Sequence, residues 1–291
     1  MAQEQPAQSS KKTTSLVKLS LLPLLTMVLC AFISLYLIKQ VSQENTERSQ
    51  KEMQVRLQEV SADIADKVSL YQYGLSGLRS ATLTTGLENL AHATILNYSA
   101  SRNIKVEFPG ARGFGFIRHV NKNNLTKFLL KASAERNREF TLQTLDNHED
   151  SYFVIQYIEP EADNYNAIGL NIGSESMRRT AALNAAKQNK TQLTAPITLV
   201  QAQQKSQQGF LLLMPIYNQA IAPNTEQQRL EQLYGWSYAP ILIEEILGTV
   251  SSVKPDITLS ITDITDNADN ADNADNAQLT FYHSSTTNRF K

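Results

Sequence analysis

An uninterrupted apolar segment near the N-terminus constrains this chain more than any other feature. Leu19 to Ile38 is a run of 20 residues without a charged side chain. As a helix with a rise of about 1.5 Å per residue, it spans roughly 30 Å, the thickness of the hydrocarbon core of a bilayer. Because Lys11, Lys12 and Lys18 precede the run, the positive-inside rule predicts a cytoplasmic N-terminus and an exported remainder.

A cleaved signal peptide is the alternative interpretation of this run. The apolar part of a signal peptide has about 7–15 residues and is followed by a cleavage site of small residues. The run is longer, and residues 37–40 (Leu-Ile-Lys-Gln) offer no such site. The single cysteine, Cys30, follows Leu29, whereas a lipoprotein signal has a small residue there. We therefore predict a cytoplasmic tail over residues 1–15 and an uncleaved inner-membrane helix over residues 16–38, with the following part in the periplasm.

A long amphipathic stalk helix is predicted over residues 39–85. Its apolar positions follow one another in steps of three and four, the spacing of a coiled-coil seam. They are Met53, Leu57, Val60, Ile64, Val68, Tyr71, Leu75 and Leu78. The seam either packs against its own domain or joins two copies of the chain. We favour a homodimer, because the segment before Leu57 has too little apolar surface to be stable as an isolated helix.

A compact α+β domain is predicted over residues 86–250. Strands are predicted at residues 113–120, 152–158, 167–172, 193–200, 209–217 and 233–240, and helices at 87–101, 124–134, 174–190 and 241–250. Asn121 or Asn123 is expected to cap the second of these helices, and Ser174 the third. Antiparallel strands interrupted by helices imply an α+β fold and not a doubly wound parallel sheet.

The composition changes after residue 250. Residues 256–264 alternate apolar and polar side chains, and residues 281–283 form a second short strand, so we predict an incomplete membrane-proximal subdomain over residues 251–291. An Asp-Asn-Ala repeat over residues 266–277 lies between the two strands. We interpret the repeat as a surface loop and not as a calcium site, because it lacks the glycines of known calcium-binding loops.

No pattern in the chain indicates catalysis. A formal net charge of −1 and the lack of a basic, aromatic-rich motif argue against nucleic-acid binding. The 4 histidines show no metal-ligand spacing, and neither a nucleophile elbow nor a phosphate-binding loop occurs. Glu159 and Glu161 flank Pro160 as paired carboxylates, which we interpret as solvated. We predict no catalytic residue, no metal site and no cofactor, and we place His119 at a sheet edge or in the core.

A succession of short motifs resembles one family of sensor domains. The motifs are residues 73–81, 108–116 (Phe-Pro-Gly-Ala-Arg-Gly-Phe-Gly-Phe), 152–160, 166–171 (Asn-Ala-Ile-Gly-Leu-Asn), 191–197 (Thr-Gln-Leu-Thr-Ala-Pro-Ile), 209–217 (Gly-Phe-Leu-Leu-Leu-Met-Pro-Ile-Tyr) and 234–236 (Tyr-Gly-Trp). In order and spacing they are similar to the CHASE domain of bacterial receptors and plant cytokinin receptors, over about residues 70 to 250. The resemblance implies a stalk helix that carries two PAS-like subdomains, of which the membrane-distal one holds a small-molecule ligand. It also implies a cytoplasmic histidine kinase, diguanylate cyclase or phosphodiesterase beyond residue 291.

The resemblance suggests ligand-binding residues as well. Thr194 matches a pocket threonine of the plant receptors. Pro160 stands where those receptors have an aspartate that binds the adenine ring, which implies a bacterial sensor with a different ligand. The other pocket residues are expected to lie on one face of the sheet, and they are Phe153, Tyr157, Leu212 and Met214.

These features together predict the periplasmic, small-molecule-sensing part of a membrane-anchored receptor. Ligand occupancy would pass through the stalk helix to a cytoplasmic output domain that this sequence does not include. The alternative is a stand-alone anchored domain that binds another protein in the periplasm. An unrecognised hydrolase is the least favoured class, because no nucleophile and base form a motif.

Overall fold

The structure, a computed structural model, describes residues 13–146, 151–199, 208–246, 260–263 and 279–283. The chain divides into two compact units, Met1–Ser61 and Ala62–Lys291. One helix, α1 (Thr13–Thr85), contributes to both units. It continues without a break through the predicted membrane helix and the predicted stalk.

The part of α1 in the first unit has an apolar surface. Its large apolar side chains from Leu22 to Ile38 are exposed. Among the described residues, α1 is the one helix long and apolar enough to cross a membrane. Exposure of so many apolar side chains is unfavourable in water and favourable in lipid, so this helix is consistent with membrane anchoring.

The second unit alternates short helices with strands. Its helices after α1 are α2 (His92–Ala100), α3 (Ile104–Glu107), α4 (Leu125–Arg136), α5 (Glu161–Asn164), α6 (Ser176–Gln188) and α7 (Glu226–Glu231). Its strands are β1 (Phe114–Asn121), β2 (Gln143–Thr144), β3 (Ser151–Glu159), β4 (Leu170–Asn171), β5 (Gln192–Leu193), β6 (Ile197–Thr198), β7 (Gln208–Tyr217), β8 (Leu233–Leu242), β9 (Ser260–Asp263) and β10 (Leu279–His283). Short 3-10 turns lie at Leu87–Asn89, Lys122–Asn124, Tyr165–Ala167 and Ile172–Ser174.

A mixed sheet forms the centre of the second unit. Its strand order is β2-β4-β3-β1-β8-β7-β5, and β6 pairs with the same strand as β5. In the row of long strands β3, β1, β8 and β7, each strand is antiparallel to its neighbour, whereas β2 and β4 are parallel. The α+β class predicted from the sequence is therefore confirmed. The two last strands, β9 and β10, form a separate antiparallel pair.

The two faces of this sheet are covered by different helices. On one face, α6 packs its buried alanines against the central strands, and the indole of Trp236 donates a hydrogen bond of 2.9 Å to the carbonyl of Ala182. On the other face, Tyr71, Leu75 and Leu78 of α1 pack against β1, β7 and β8. Full burial of each side chain of this size contributes about 1.5–3 kcal/mol.

The C-terminal part of the predicted seam is thus buried in its own domain. Gly74 lies where α1 approaches β1, and a Cβ there would come within 2.7 Å of Cζ of Phe114. The Tyr98 hydroxyl donates a hydrogen bond of 2.5 Å to the Gly74 carbonyl. A glycine that costs roughly 1 kcal/mol of helix propensity is therefore what allows helix and sheet to meet.

The N-terminus of α6 differs from the prediction. The helix begins at Ser176, and the carboxylate of Glu175 accepts hydrogen bonds from the backbone amides of Met177 and Arg178. Ser174, the predicted cap, donates instead to the carbonyl of Asn171. The predicted cap is therefore wrong, because the 3-10 turn at Ile172–Ser174 takes up this serine before the helix starts.

Other boundaries also shift. The cap predicted for α4 is wrong: its N-cap residue is Asn124, which makes no side-chain capping bond. The strand predicted at 167–172 is reduced to Leu170–Asn171, because Ala167 ends one 3-10 turn, residues 168–169 form a turn and Ile172 begins another 3-10 turn. β8 extends to Leu242, and helical structure follows at 243–246. The Asp-Asn-Ala repeat at 266–277 lies outside the described residues.

Candidate ligand site

The structure divides the predicted pocket residues between the two faces of the sheet. Phe153 belongs to the apolar cluster against α6, whereas Tyr157, Leu212 and Met214 belong to the cluster against α1. The cause is a β-bulge. Phe116 pairs with Tyr157 but its neighbour pairs with Ile155, so the residue between those two partners is extra and reverses the alternation of side chains. A pocket wall that contains all four residues on one face is therefore not formed.

The two remaining predicted residues lie at chain turns. Pro160 is the N-cap residue of α5. Thr194 is buried, and its hydroxyl oxygen accepts a hydrogen bond of 3.0 Å from the backbone amide of Leu211. The Thr194 amide donates in turn to the Leu211 carbonyl at 3.0 Å, so this threonine attaches the β5–β6 turn to β7. Its hydroxyl hydrogen can still be donated. The ligand role of both residues stays a prediction.

A polar cavity of about 460 Å³ lies where β1 ends and β8 begins. This volume falls in the range of small-molecule sites. Residues from α4, α7, β1, β3 and β8, and from the turns beside α2, α4 and β7, surround it. They are Glu88, Leu90, Arg118, His119, Val120, Asn121, Asn124, Lys127, Phe128, Lys131, Gln156, Asn218, Leu230, Glu231, Leu233 and Tyr234.

Arg118 is the one charged residue of this lining that is not exposed. The central carbon of its guanidinium lies 3.3 Å from the centroid of the Tyr234 ring, a close cation–π contact. Its Nη1 is buried without a hydrogen-bond partner among the described residues. Burial lowers the pKa of Arg118 to about 10, against which the carboxylate of Glu88 acts at longer range. The arginine is therefore charged at neutral pH and only partly compensated.

The rim of the cavity is electrically balanced. Lys127 and Lys131 are exposed on α4, and Glu88 and Glu231 are exposed elsewhere in the lining. His119 is partly buried at the side, with Nδ1 3.2 Å from the carbonyl of Leu233. Burial lowers the pKa of His119, although this hydrogen bond raises it, so the imidazole is neutral at neutral pH. The net positive charge of the lining therefore comes from Arg118, its least exposed charged side chain.

A sequence model of the CHASE domain family matches residues 88–273, well over half of the chain. This chain belongs to the CHASE domain family. A search of curated proteins finds no match to it. CHASE domains are extracytoplasmic sensor domains and are not catalytic. The match begins three residues after α1 ends at Thr85, so it covers the sheet, helices α2 to α7 and the cavity, but not α1.

A second group of charged residues lies at the end of β3 in this CHASE domain. His92 Nε2 is 2.5 Å from Oε1 of Glu159 and 3.5 Å from Oε2 of Glu161. Arg136 and Arg138 bind Glu161 at 3.1 and 2.6 Å. The interpretation of both carboxylates as solvated is wrong for Glu159, which is 8% exposed. Sequence reasoning missed the cluster because His92 is 67 positions from Glu159 and no local spacing relates them.

The side chains of this cluster contact one another in pairs of an acidic and a basic residue. One ligand atom from each of His92, Glu159 and Glu161 lies within 4.8 Å of the others, a separation that a metal ion could bridge. However, two arginines already neutralise Glu161. Burial raises the pKa of Glu161, but Arg136 and Arg138 outweigh it and hold the pKa below its ordinary value. Glu161 thus has two arginines in contact and Glu159 contacts the His92 ring, whereas Arg118 has no carboxylate in contact among the described residues.

Proposed function

We propose that this CHASE domain is the periplasmic, small-molecule-sensing part of a receptor anchored in the inner membrane by α1. The observation that carries the proposal is a polar cavity of about 460 Å³ inside a domain of a sensor family. The apolar surface of α1 supports the anchor, and the lysines before it support the orientation.

The fold is compatible with the PAS-like architecture that the resemblance implies. The sheet has its first strand at the centre and a helix layer on each face. We propose that this sheet is the membrane-distal sensing subdomain, and that β9 and β10 begin the membrane-proximal one.

A contact between the cavity and the end of α1 supports a route for the signal. The Tyr234 ring packs on Arg118, and its hydroxyl donates a hydrogen bond of 2.6 Å to the carbonyl of Leu87. Leu87 follows α1 by two residues. A ligand on Arg118 that binds one arrangement of Tyr234 better than another would therefore shift the position of the chain where the stalk helix ends.

We also propose that two copies of the chain pair through the stalk before residue 61. Met53 and Leu57 are 53% and 57% exposed on α1. Apolar side chains in coiled-coil spacing that remain exposed on one chain are buried when two such helices pair. Disulfide crosslinking of a Leu57→Cys variant that also carries Cys30→Ser, in native membranes, measures this pairing; recovery of monomer alone contradicts it.

The experiment for the proposed function uses the full chain in lipid nanodiscs. Thermal unfolding is followed by the fluorescence of Trp236, the single tryptophan, which is fully buried. Adenine derivatives, amino acids, carboxylates and neutral sugars are added in turn. A sensor is stabilised by at least one of them, because a ligand that binds only the folded state adds about 2.7 kcal/mol at a concentration one hundred times Kd.

Two outcomes contradict the proposal. If no compound of any charge raises the unfolding temperature while pull-downs recover a protein partner, the alternative of an anchored protein-interaction domain is correct. Orientation is tested separately with Thr225→Cys in a chain that also carries Cys30→Ser. A membrane-impermeant maleimide should label this variant in spheroplasts, and labelling only after lysis places the domain in the cytoplasm.

A further inference from the structure

We infer that the cavity between β1, α4 and β8 binds a small carboxylate, with Arg118 as the group that recognises it. This inference rests on the proposed sensing function and adds the chemical class of the ligand. It arises from a comparison of the arginines in the domain and from the arrangement of charge around the cavity.

Arg118 has no counter-ion in contact among the described residues. No carboxylate of the described residues lies within ion-pair distance of it, and its Nη1 has no hydrogen-bond partner among them. A partly buried cation without a partner is costly, since the desolvation of its charge is not compensated. The Tyr234 ring offsets only part of this cost, because cation–π contacts contribute about 0.5–2 kcal/mol. A bound anion would provide the missing compensation.

The charged side chains of the lining differ in exposure. Arg118 is partly buried, whereas the two lysines and two glutamates are exposed and balance one another in charge. Neutral hydrogen-bonding groups complete the lining, among them Asn121, Asn124 and Gln156. A ligand therefore meets one net positive charge inside and dipolar groups around it.

A carboxylate matches this cavity better than a phosphate or a metal ion does. A cationic guanidinium in the wall repels metal ions. Its planar fork matches the two oxygens of a carboxylate. A phosphate group carries about −1.5 to −2 charges at neutral pH and would need a more positive cavity. One net positive charge matches a single carboxylate. The exposed carboxylates of Glu88 and Glu231 are available to pair with an additional ammonium group on the same ligand.

The experiment is calorimetric titration of the full chain in nanodiscs with acetate, pyruvate, succinate and glutamate, each compared with its neutral amide. We expect at least one acid to bind and its amide to bind at least about tenfold more weakly. Arg118→Met should weaken binding of that acid by about tenfold or more, since truncation of one partner of a desolvated charge pair costs at least 1.4 kcal/mol. Arg48→Gln, which removes an exposed positive charge on α1, is the matched control and should bind as the wild type does.

Two results would overturn the inference. If the acid binds Arg118→Met as tightly as the wild type, Arg118 does not recognise it. If no acid of the panel binds at millimolar concentration, the cavity does not bind small carboxylates. The proposed sensing function is contradicted only if neutral and basic compounds also fail to raise the unfolding temperature. If Arg118→Met unfolds, Lys131→Gln on the exposed rim still tests the site, because a carboxylate bound nearby should lose a few-fold in affinity and a ligand elsewhere should lose none.

Discussion

Arg118 differs from two other arginines of the same domain in what it contacts. Arg136 binds Glu161 at 3.1 Å and donates to the carbonyl of Gln156, and Arg178 binds Glu175 at 3.1 Å and donates to a carbonyl of β6. Both are buried, with side chains 8% and 7% exposed. Arg118 has an aromatic ring in place of a carboxylate.

This difference separates structural charges from a charge available for binding. A buried ion pair is retained because removal of either member leaves the other uncompensated. Arg136 and Arg178 also each connect two elements through a hydrogen bond to a backbone carbonyl, α4 to β3 and α6 to β6. A partly buried arginine with no such partner adds little stability to the folded chain, so its presence is better explained by a ligand.

The largest effect is expected from loss of a paired arginine. Arg136→Met leaves Glu161 and Glu159 with less positive charge, and we expect the free energy of unfolding to fall by about 3 kcal/mol. Arg118→Met should change it by less than about 1 kcal/mol, because the lost cation–π contact is offset by removal of a desolvated charge. Chemical denaturation followed by Trp236 fluorescence measures both. Equal destabilisation by the two variants would show that Arg118 is structural.

An intermediate effect is expected from Glu161→Gln, and it should depend on pH. The folded-state pKa of Glu161 lies below its ordinary value of 4.5, so its charge stabilises the fold above that pH, and the stabilisation is lost as the pH falls through the folded-state pKa. At neutral pH we expect a loss of about 2 kcal/mol relative to wild type. The difference should shrink as the pH falls below 4.5. A difference that stays constant with pH would mean that the Glu161 charge is not responsible.

The α+β class and most strands could be predicted from sequence because apolar alternation and turn residues are local. The β-bulge at Gln156 could not be predicted, because it depends on the partner strand. It places Phe153 on the opposite face of the sheet from Tyr157, Leu212 and Met214. The apolar seam of α1 as far as Leu78 can be predicted from the spacing of its residues. Whether this seam packs on a second copy or on the chain's own sheet depends on tertiary structure.

The candidate site was harder to predict than the fold. Arg118 and His119 are neighbours in a strand that the sequence predicts. Their spacing does not show that the Tyr234 ring lies over Arg118 or that the Leu233 carbonyl lies beside His119. The His92–Glu159 contact has the same origin. A lone arginine in an apolar strand is the sequence feature that could have indicated the cavity.

The smallest effect concerns His119, which lies next to Arg118 and is also partly buried. Arg118 and the Leu233 carbonyl are its charged and polar neighbours, and the rings of Phe153 and Trp236 contact it. Because its folded-state pKa is below 6.5, the unfolded chain binds a proton first as the pH falls. Stability is therefore highest well above pH 6.5 and declines as the pH falls below it, by at most about 1.4 kcal/mol per pH unit.

The matched variant is His119→Gln, which keeps a hydrogen-bond donor for the Leu233 carbonyl but does not titrate. Its free energy of unfolding should fall less than that of the wild type between neutral pH and about pH 5.5. The histidine ring lies 6.2 Å from the Trp236 ring, so indole fluorescence below the unfolding temperature reports its protonation directly. Parallel pH profiles for the two proteins would mean that His119 titrates alike in both states. In that case its burial beside Arg118 does not contribute to the electrostatics of the cavity.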